Sequence, residues 1–513
     1  MLRSRAVPVL IMAISVLAPV SLGVLASPAG ATITVPGVPR AVIAVGVNTA
    51  IDISWLAPRS TGGSPILNYT VKVKAGSFTK ECTTTTRSCS VAGLVNTKAY
   101  AVSVFATNAH GHGASSPSQV VKPSAAQNCR FFGPYANLAS CNLTNANFTN
   151  VTLSFANFNL ATLAHAKFVN ANLTNADLYF SNLTGATMVG ANLTGANLIG
   201  ANLTNANLTG ANLTDADLTI ATLSSANLTG TTLHGTNLTS ATMHRTNLIG
   251  VNLTGNTLAS ADLSGANLTG ATLTSANLSN TVLTGATLTN VSSGGIQGTP
   301  ILSSSWLLVD GYLIGPYATL INAALTGANL TGATLNSANL TGATLTSAIL
   351  TNASMTSANL NGATLNGATL KSATLTNASL TNASLSGAIL TSATLSNANL
   401  SGASLNNATL TGANLHAANL TQVTLFQSNL TGATLTNATL SYSNDSIANL
   451  TNANLTGATM TSVQLASANL TGANLTGATN LTGASLTGVI WASTTCPDGS
   501  NSDNDGNTCI GHL

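Results

Sequence analysis

The stretch Ala191-Asn192-Leu193-Thr194-Gly195-Ala196-Asn197-Leu198-Ile199-Gly200-Ala201-Asn202-Leu203 decides the fold, because a leucine returns every fifth residue with an alanine two places before it. The same beat runs from Leu138 through Leu143, Phe148, Leu153, Phe158, Leu163, Phe168, Leu173 and Leu178 to Leu288. In an α-helix five residues advance about 500°, so successive leucines would stand about 140° apart and wind around the rod. In a flat strand an odd period sends alternate leucines to opposite faces. The chain must therefore turn a corner once per repeat. Ala and Leu point inward, while Asn or Thr, then Thr, then Gly, Asn or Ser point outward. The expected product is a coil around a narrow apolar core.

Composition agrees with a repeat. Charged residues make up 5% of the chain, where about 25% is usual for globular domains. The net charge of +3 says little about partners. Past Arg130 the basic side chains are Lys167, Arg245 and Lys371, too scattered to displace counterions from phosphates, so nucleic acid is excluded as a partner.

The motif, as in Ala191-Asn192-Leu193-Thr194-Gly195, resembles the pentapeptide-repeat family. The resemblance implies an all-β architecture, a right-handed quadrilateral β-helix with four pentapeptides per coil, so that residues twenty apart stack. Phe148, Phe168 and Met188 then share a column, with the bulky residues plugging the first coils. The phase breaks between Leu288 and Leu320. Two repeat blocks are expected, at 128–290 and 316–490, stacked or hinged about an interrupting segment at 291–315. Gly315-Pro316-Tyr317 repeats the opening signal Gly133-Pro134-Tyr135. Within the break, Trp306 and Tyr312 are expected to cover an exposed coil edge, with a ligand-holding excursion as the other reading. Asp445 stands where a leucine belongs and Asn480 delays Leu481 by one place; both read as bulges.

The N-terminus is organised differently. Arg3 and Arg5, an apolar run over 7–26, and Ala29-Gly30-Ala31 have the form of a signal peptide over 1–31, with the mature chain starting at Thr32. An uncleaved anchor is the rival, opposed by Pro8 and Pro19. No membrane span is expected after cleavage, and the chain should be secreted or held at the cell surface. Over 32–124, alternation of Ile51, Ile53 and Trp55, of Tyr69, Val71 and Val73, and of Tyr100, Val102 and Val104 gives the rhythm of a β-sandwich. Trp55, Tyr69, and Leu94 six residues before Tyr100 resemble a fibronectin type III domain. Cys82 and Cys89 are expected to bracket a hairpin there.

Six cysteines fall in three close pairs, Cys82 with Cys89, Cys129 with Cys141, and Cys496 with Cys509. Fifteen connectivities are formally open, but the short loops favour local pairing. Zinc is opposed by the lack of any paired CxxC or His spacing. The last two pairs would staple the solenoid ends, the final one within a disulfide-closed cap at 491–513. In that cap Asp498, Asn501, Asp503 and Asp505 space their oxygens as a calcium loop does. His512 stands where such a loop needs Glu, so calcium is the one cofactor weighed, against a purely polar loop.

No catalytic set converges. His234 and His244, ten apart, belong on opposite faces, and Asp177 and Asp217 share a column two coils apart with Asn197 between. The expected function is a non-enzymatic extracellular binding surface or scaffold, toward cell-wall or other polysaccharide or a surface protein. An ice-binding or passive spacer role is the alternative. A DNA-mimicking topoisomerase protector, known within the resembling family, needs an acidic rod. An accessory of a glycan-processing enzyme would need paired carboxylates nearby.

Overall fold

The structure is a computed structural model that describes residues 33–124, 129, 132–481 and 483–512. The expected leader lies outside the described residues. The chain divides into two compact units, Met1–Ala125 and Ala126–Leu513.

The first unit is a two-sheet sandwich. Strands β1 (Arg40–Val47), β2 (Ala50–Leu56) and β5 (Ser88–Ala92) form one sheet. Strands β4 (Phe78–Thr84), β3 (Asn68–Ala75), β6 (Tyr100–Asn108) and β7 (Gly111–His112) form the other, with β8 (Gln119–Val121) also on β6. The three alternating triplets all point into the core, and the Trp55 and Tyr69 rings meet at 5.4 Å. The Tyr100 hydroxyl accepts from the Val95 amide at 3.0 Å, which pins the corner before β6. Cys82 and Cys89 are bonded, but they do not bracket a hairpin. They lie on β4 and β5 of different sheets, so their bond ties the sandwich together.

The second unit is the solenoid. A regular pentapeptide donates its second, third and fifth amides to neighbouring coils: Asn192 to Ala171 at 2.9 Å, Leu193 to Asn212 at 2.7 Å, and Gly195 to Thr214 at 2.9 Å. The first amide closes the corner, Ala196 donating to the Leu193 carbonyl at 2.9 Å. Where Asn holds the second position its side chain accepts from the fourth amide, as Asn192 does from Thr194 at 3.1 Å. This Asx turn satisfies the last donor locally. At Ser354, Ser379 and Ser384, where Ser replaces that Asn, an Asn from the coil below substitutes. Asn336 accepts from both the Ser354 hydroxyl and the Thr356 amide, at 2.7 and 3.0 Å. The fifth position is left-handed, for instance φ +64° at Gly195 and +54° at Asn175. That geometry is why Gly, Asn and Ser recur there.

Parallel bridges link residues twenty apart, Asn172 to Asn192 to Asn212, along the coils. The aromatic column is present, with Phe148 and Phe168 stacked at 4.8 Å and fully buried. Of the two expectations for the repeat blocks, the stacked one holds, and they form one solenoid. Ser292 bridges Thr319 and Thr319 bridges Asn339, and one core cluster runs from Ala136 to Cys509. The interruption folds into a hairpin of β9 (Leu307–Val309) and β10 (Tyr312–Ile314). Its turn is Asp310-Gly311, φ +49° and +78°, the two-residue turn that suits strand twist. Trp306, Leu313 and Ile314 are buried in the shared core, so Trp306 is a plug inside the coil and not an edge cover.

Asp445 is not a bulge. Its amide donates to Gln464 at 2.8 Å and the frame continues through Leu450, leaving the carboxyl inside the core. Asn480 is a true insertion: Thr459 bridges Thr479, but Gln464 bridges Ser485, one residue further on.

Both ends carry a bonded pair, Cys129 with Cys141 and Cys496 with Cys509. A solenoid is weakest at its bare ends. Replacing Cys496 and Cys509 together by Ala is expected to weaken the last coils by about 3 kcal/mol. Hydrogen exchange of the amides over 465–496 measures this, and unchanged protection would refute it.

Candidate functional site

The residues singled out in the terminal cap do not assemble into a cation loop. Residues Ser502–Asp505 form a 3-10 turn whose N-cap, Asn501, accepts from the Asp503 amide. The Asp503 carboxylate accepts from the Ser493 amide and hydroxyl at 2.6 and 2.9 Å, and the amide bond in particular holds its pKa below the usual range. Asp498 takes the Ser500 hydroxyl and amide and pairs with His512 Nδ1 at 2.7 Å. These contacts, Ser500 first, pull its pKa to about 2. Asp505 meets the other imidazole nitrogen at 3.1 Å. The acids are thus engaged by protein partners, Asp503 by Ser493, and Asp498 and Asp505 by the one His512 imidazole. Among the described residues, no three of His, Cys, Asp and Glu lie together as a metal site.

The histidines and acids of the solenoid also stay apart from any relay. His244 Nδ1 meets the Ser264 hydroxyl at 3.0 Å. Asp262 accepts from the Ser264 amide at 2.9 Å, and its pKa is lowered, the Ser264 side chain being the first cause. The carboxylate thus bonds the serine backbone and not the imidazole, whereas nucleophile activation needs an acid that orients the imidazole. The Asp177, Asn197 and Asp217 column is present, with Asn197 Nδ2 donating to Asp177 at 3.0 Å.

That column lies at the centre of the most distinctive surface. On its face the outward ladder reads Asn157, Asp177, Asn197, Asp217 and Asn237. The corner before it carries Tyr135 and Phe155, whose rings stack at 5.0 Å and 4°. The corner after it carries Leu160, Tyr179, Phe180 and Ile220. Phe155, Leu160 and Phe180 are 40%, 59% and 45% exposed. All three, with Tyr135 and Ile220, occupy the left-handed fifth position, φ +48° to +61°. A large side chain there costs roughly 1 kcal/mol or more and adds nothing to the core. The Phe180 ring instead lies over Gly200, where an added Cβ would stand 2.7 Å from ring carbons. The corner bulk was visible in the sequence at 155, 160 and 180. Its meaning needed the φ values that mark the position as one for Gly or Asn.

Comparison with known proteins follows the same division. The description "Pentapeptide repeats" matches in 8 copies, over 135–163, 156–195, 188–223, 216–255, 257–291, 388–426, 418–444 and 448–488. A pentapeptide repeat region matches 328–405, and a fibronectin type III domain matches 37–123. Among solved structures the chain is similar to HetL, a pentapeptide repeat protein involved in heterocyst differentiation regulation from the cyanobacterium Nostoc sp. Strain PCC 7120. The identity is 27% over 60% of this chain and 91% of that one, with a TM-score of 0.18. The sandwich is similar to the FN5 domain of Drosophila Lar, 28% identical over 18% of this chain and 100% of that one, TM-score 0.16. It is also similar to domains A168-A170 of titin, 28% identical over 18% and 32% of the two chains, TM-score 0.16. No curated protein matches. With its repeats matched over more than half its length, the chain belongs to the pentapeptide-repeat family and carries a fibronectin type III domain before the solenoid.

Proposed function

We propose that this is an exported, non-catalytic protein that holds a neutral polysaccharide, such as a cell-wall glycan, along the face between the two aromatic corners. The observation that carries the reading is the bulk placed at left-handed corners, against local backbone preference, on either side of an Asn/Asp ladder. Strain kept at exposed positions points to a use outside the fold. A sugar ring offers an apolar C–H face to a flat side chain and hydroxyls to amides and carboxylates. The coils repeat at ~4.8 Å, so the ladder offers polar groups at regular intervals along a polymer. The solenoid's scarce cations argue against an anionic polymer. Three disulfides support an oxidising compartment. Among the described residues no helix is long and apolar enough to cross a membrane.

The test is retention on insoluble cell-wall glycan, with release of soluble sugar assayed alongside. Replacing Phe155 and Phe180 together by Asn is expected to weaken retention about tenfold, the loss of two stacking rings. Stability should hold or rise, because Asn tolerates the left-handed corner and Asn175 already lies over Gly195 in this way. Unchanged retention would reject the face, and turnover of the glycan would reject the non-catalytic reading.

A further inference from the structure

One side of one coil is unzipped. Across Gly230–Gly235 and Gly250–Thr254 the ladder bonds made by neighbouring coils are missing. Gly230, Leu233 and Gly235 donate to no carbonyl above, Asn252 donates to none below, and Thr232 and Asn252 form no bridge. The sides before and after stay closed: Asn227 bridges Asn247, and Asn237 bridges Thr257. The result is a cleft of about 440 Å³ lined by Thr232, His234, Asn252 and Thr254, with Gly230 and Gly250 at its corner. That volume lies within the range of small-ligand sites.

The opened side coincides with a change in the core. Positions that elsewhere hold Ala carry Thr231, Thr236, Thr246, Val251 and Asn256, all buried. The hydroxyls of Thr231 and Thr236 reach the Leu208 and Leu213 carbonyls at 3.0 and 2.8 Å, and Asn256 Nδ2 reaches Leu233 at 2.6 Å. These side chains add volume to two successive coils of the core. The side-chain Oδ1 of Asn256 is buried without a partner.

From this geometry we infer that the His234 cleft binds the acetamido group of an N-acetylated amino sugar. The gap presents the Gly230, Leu233 and Gly235 N–H groups on its lower rim and the Asn252 N–H among backbone carbonyls on its upper rim. The group that completes both is another amide, accepting below and donating above. An extended peptide does not fit, because both adjoining sides are zipped and a strand has no way through. A pendant amide enters edge-on from outside, and Thr232, His234, Asn252 and Thr254 then face the ring hydroxyls. The choice of a sugar over other amides rests on the polysaccharide reading above; the amide chemistry does not.

The test is calorimetric titration of the full mature chain with chitotetraose and with cellotetraose, which carries hydroxyl where the former carries acetamido. The expected result is at least about tenfold tighter binding of chitotetraose, the cost of leaving the rim groups unpaired. A variant with Thr231, Thr236, Val251 and Asn256 all replaced by Ala restores the common repeat and should close the ladder. It is expected to lose that preference, whereas the Phe155→Asn/Phe180→Asn variant should keep it. Equal binding of the two sugars, or a preference that survives the four Ala substitutions, overturns the assignment even if cell-wall glycan is retained. A blocked dipeptide amide binding as tightly as chitotetraose overturns the sugar. Chitotetraose preference without retention of cell-wall glycan upholds the cleft and sinks the aromatic face.

Discussion

Asp445→Leu is expected to stabilise the solenoid at both pH 4 and pH 8, and by about 4 kcal/mol more at pH 8 than at pH 4. Asp445 occupies an inward leucine position between Leu425 and Leu465, and both its carboxyl oxygens are buried without a hydrogen-bond partner. Burial pushes its pKa from the ordinary 3.8 up to about 7; the only opposing influence is the Ser443 hydroxyl, which does not reach hydrogen-bonding geometry. The folded chain therefore keeps a proton that the unfolded chain releases. Stability is fully present below about pH 4, falls as pH rises to about 7, and is flat above. Three pKa units correspond to about 4 kcal/mol. Leucine removes both the charge and the slope. Denaturant midpoints at pH 4 and 8 read this directly, and a variant that keeps the wild-type pH slope would refute it.

That position also shows where the sequence stops being legible. The period of five established the coil, because no other regular structure keeps every fifth residue inside. It equally showed the frame unbroken from Leu440 through Asp445 to Leu450, yet a buried carboxyl looks so costly that a bulge was the natural expectation. Backbone bonding on both sides overrides it, since the ladder of Asn444 with Thr424 and Gln464 holds whatever the side chain is. At Asn480 the spacing itself changes, and there the expectation of a bulge was correct.

Other features required distances. The Asp310-Gly311 pair is a strong hairpin signal, but nothing local says that the hairpin turns inward and joins the two repeat runs. The Cys82–Cys89 bond crosses sheets because β4 pairs only with β3, a partner choice made by strands distant in sequence. The substitutions at 231, 236, 251 and 256 are plain in the sequence, but their effect is concentrated on one side of the coil. Which side opens depends on how the added volume is relieved.

Trp306→Ala is expected to cost about 3–5 kcal/mol and to divide solenoid unfolding into two transitions. A stacked repeat protein holds together through the interfaces between neighbours, and the join at 291–320 is the thinnest of them. There, β9 and β10 replace one side of a coil, and Ser292 bridges Thr319 across it. Trp306 fills the core at this level, flanked by Leu313 and Ile314. The Leu313 amide donates to the Ser293 hydroxyl at 2.9 Å, and the Tyr312 hydroxyl accepts from the Ala324 amide at 3.1 Å. Removing the indole leaves polar ties without the apolar contact that couples the coils below to those above. Gly315 supplies an independent check, since an added Cβ would overlap the Trp306 ring. Gly315→Ala alone should destabilise the join, whereas in the Trp306→Ala background the methyl meets empty space and should cost little, giving a strongly non-additive pair. Calorimetric unfolding that stays a single transition in Trp306→Ala, with additive effects of the two substitutions, would show that the hairpin, and not the indole, couples the halves.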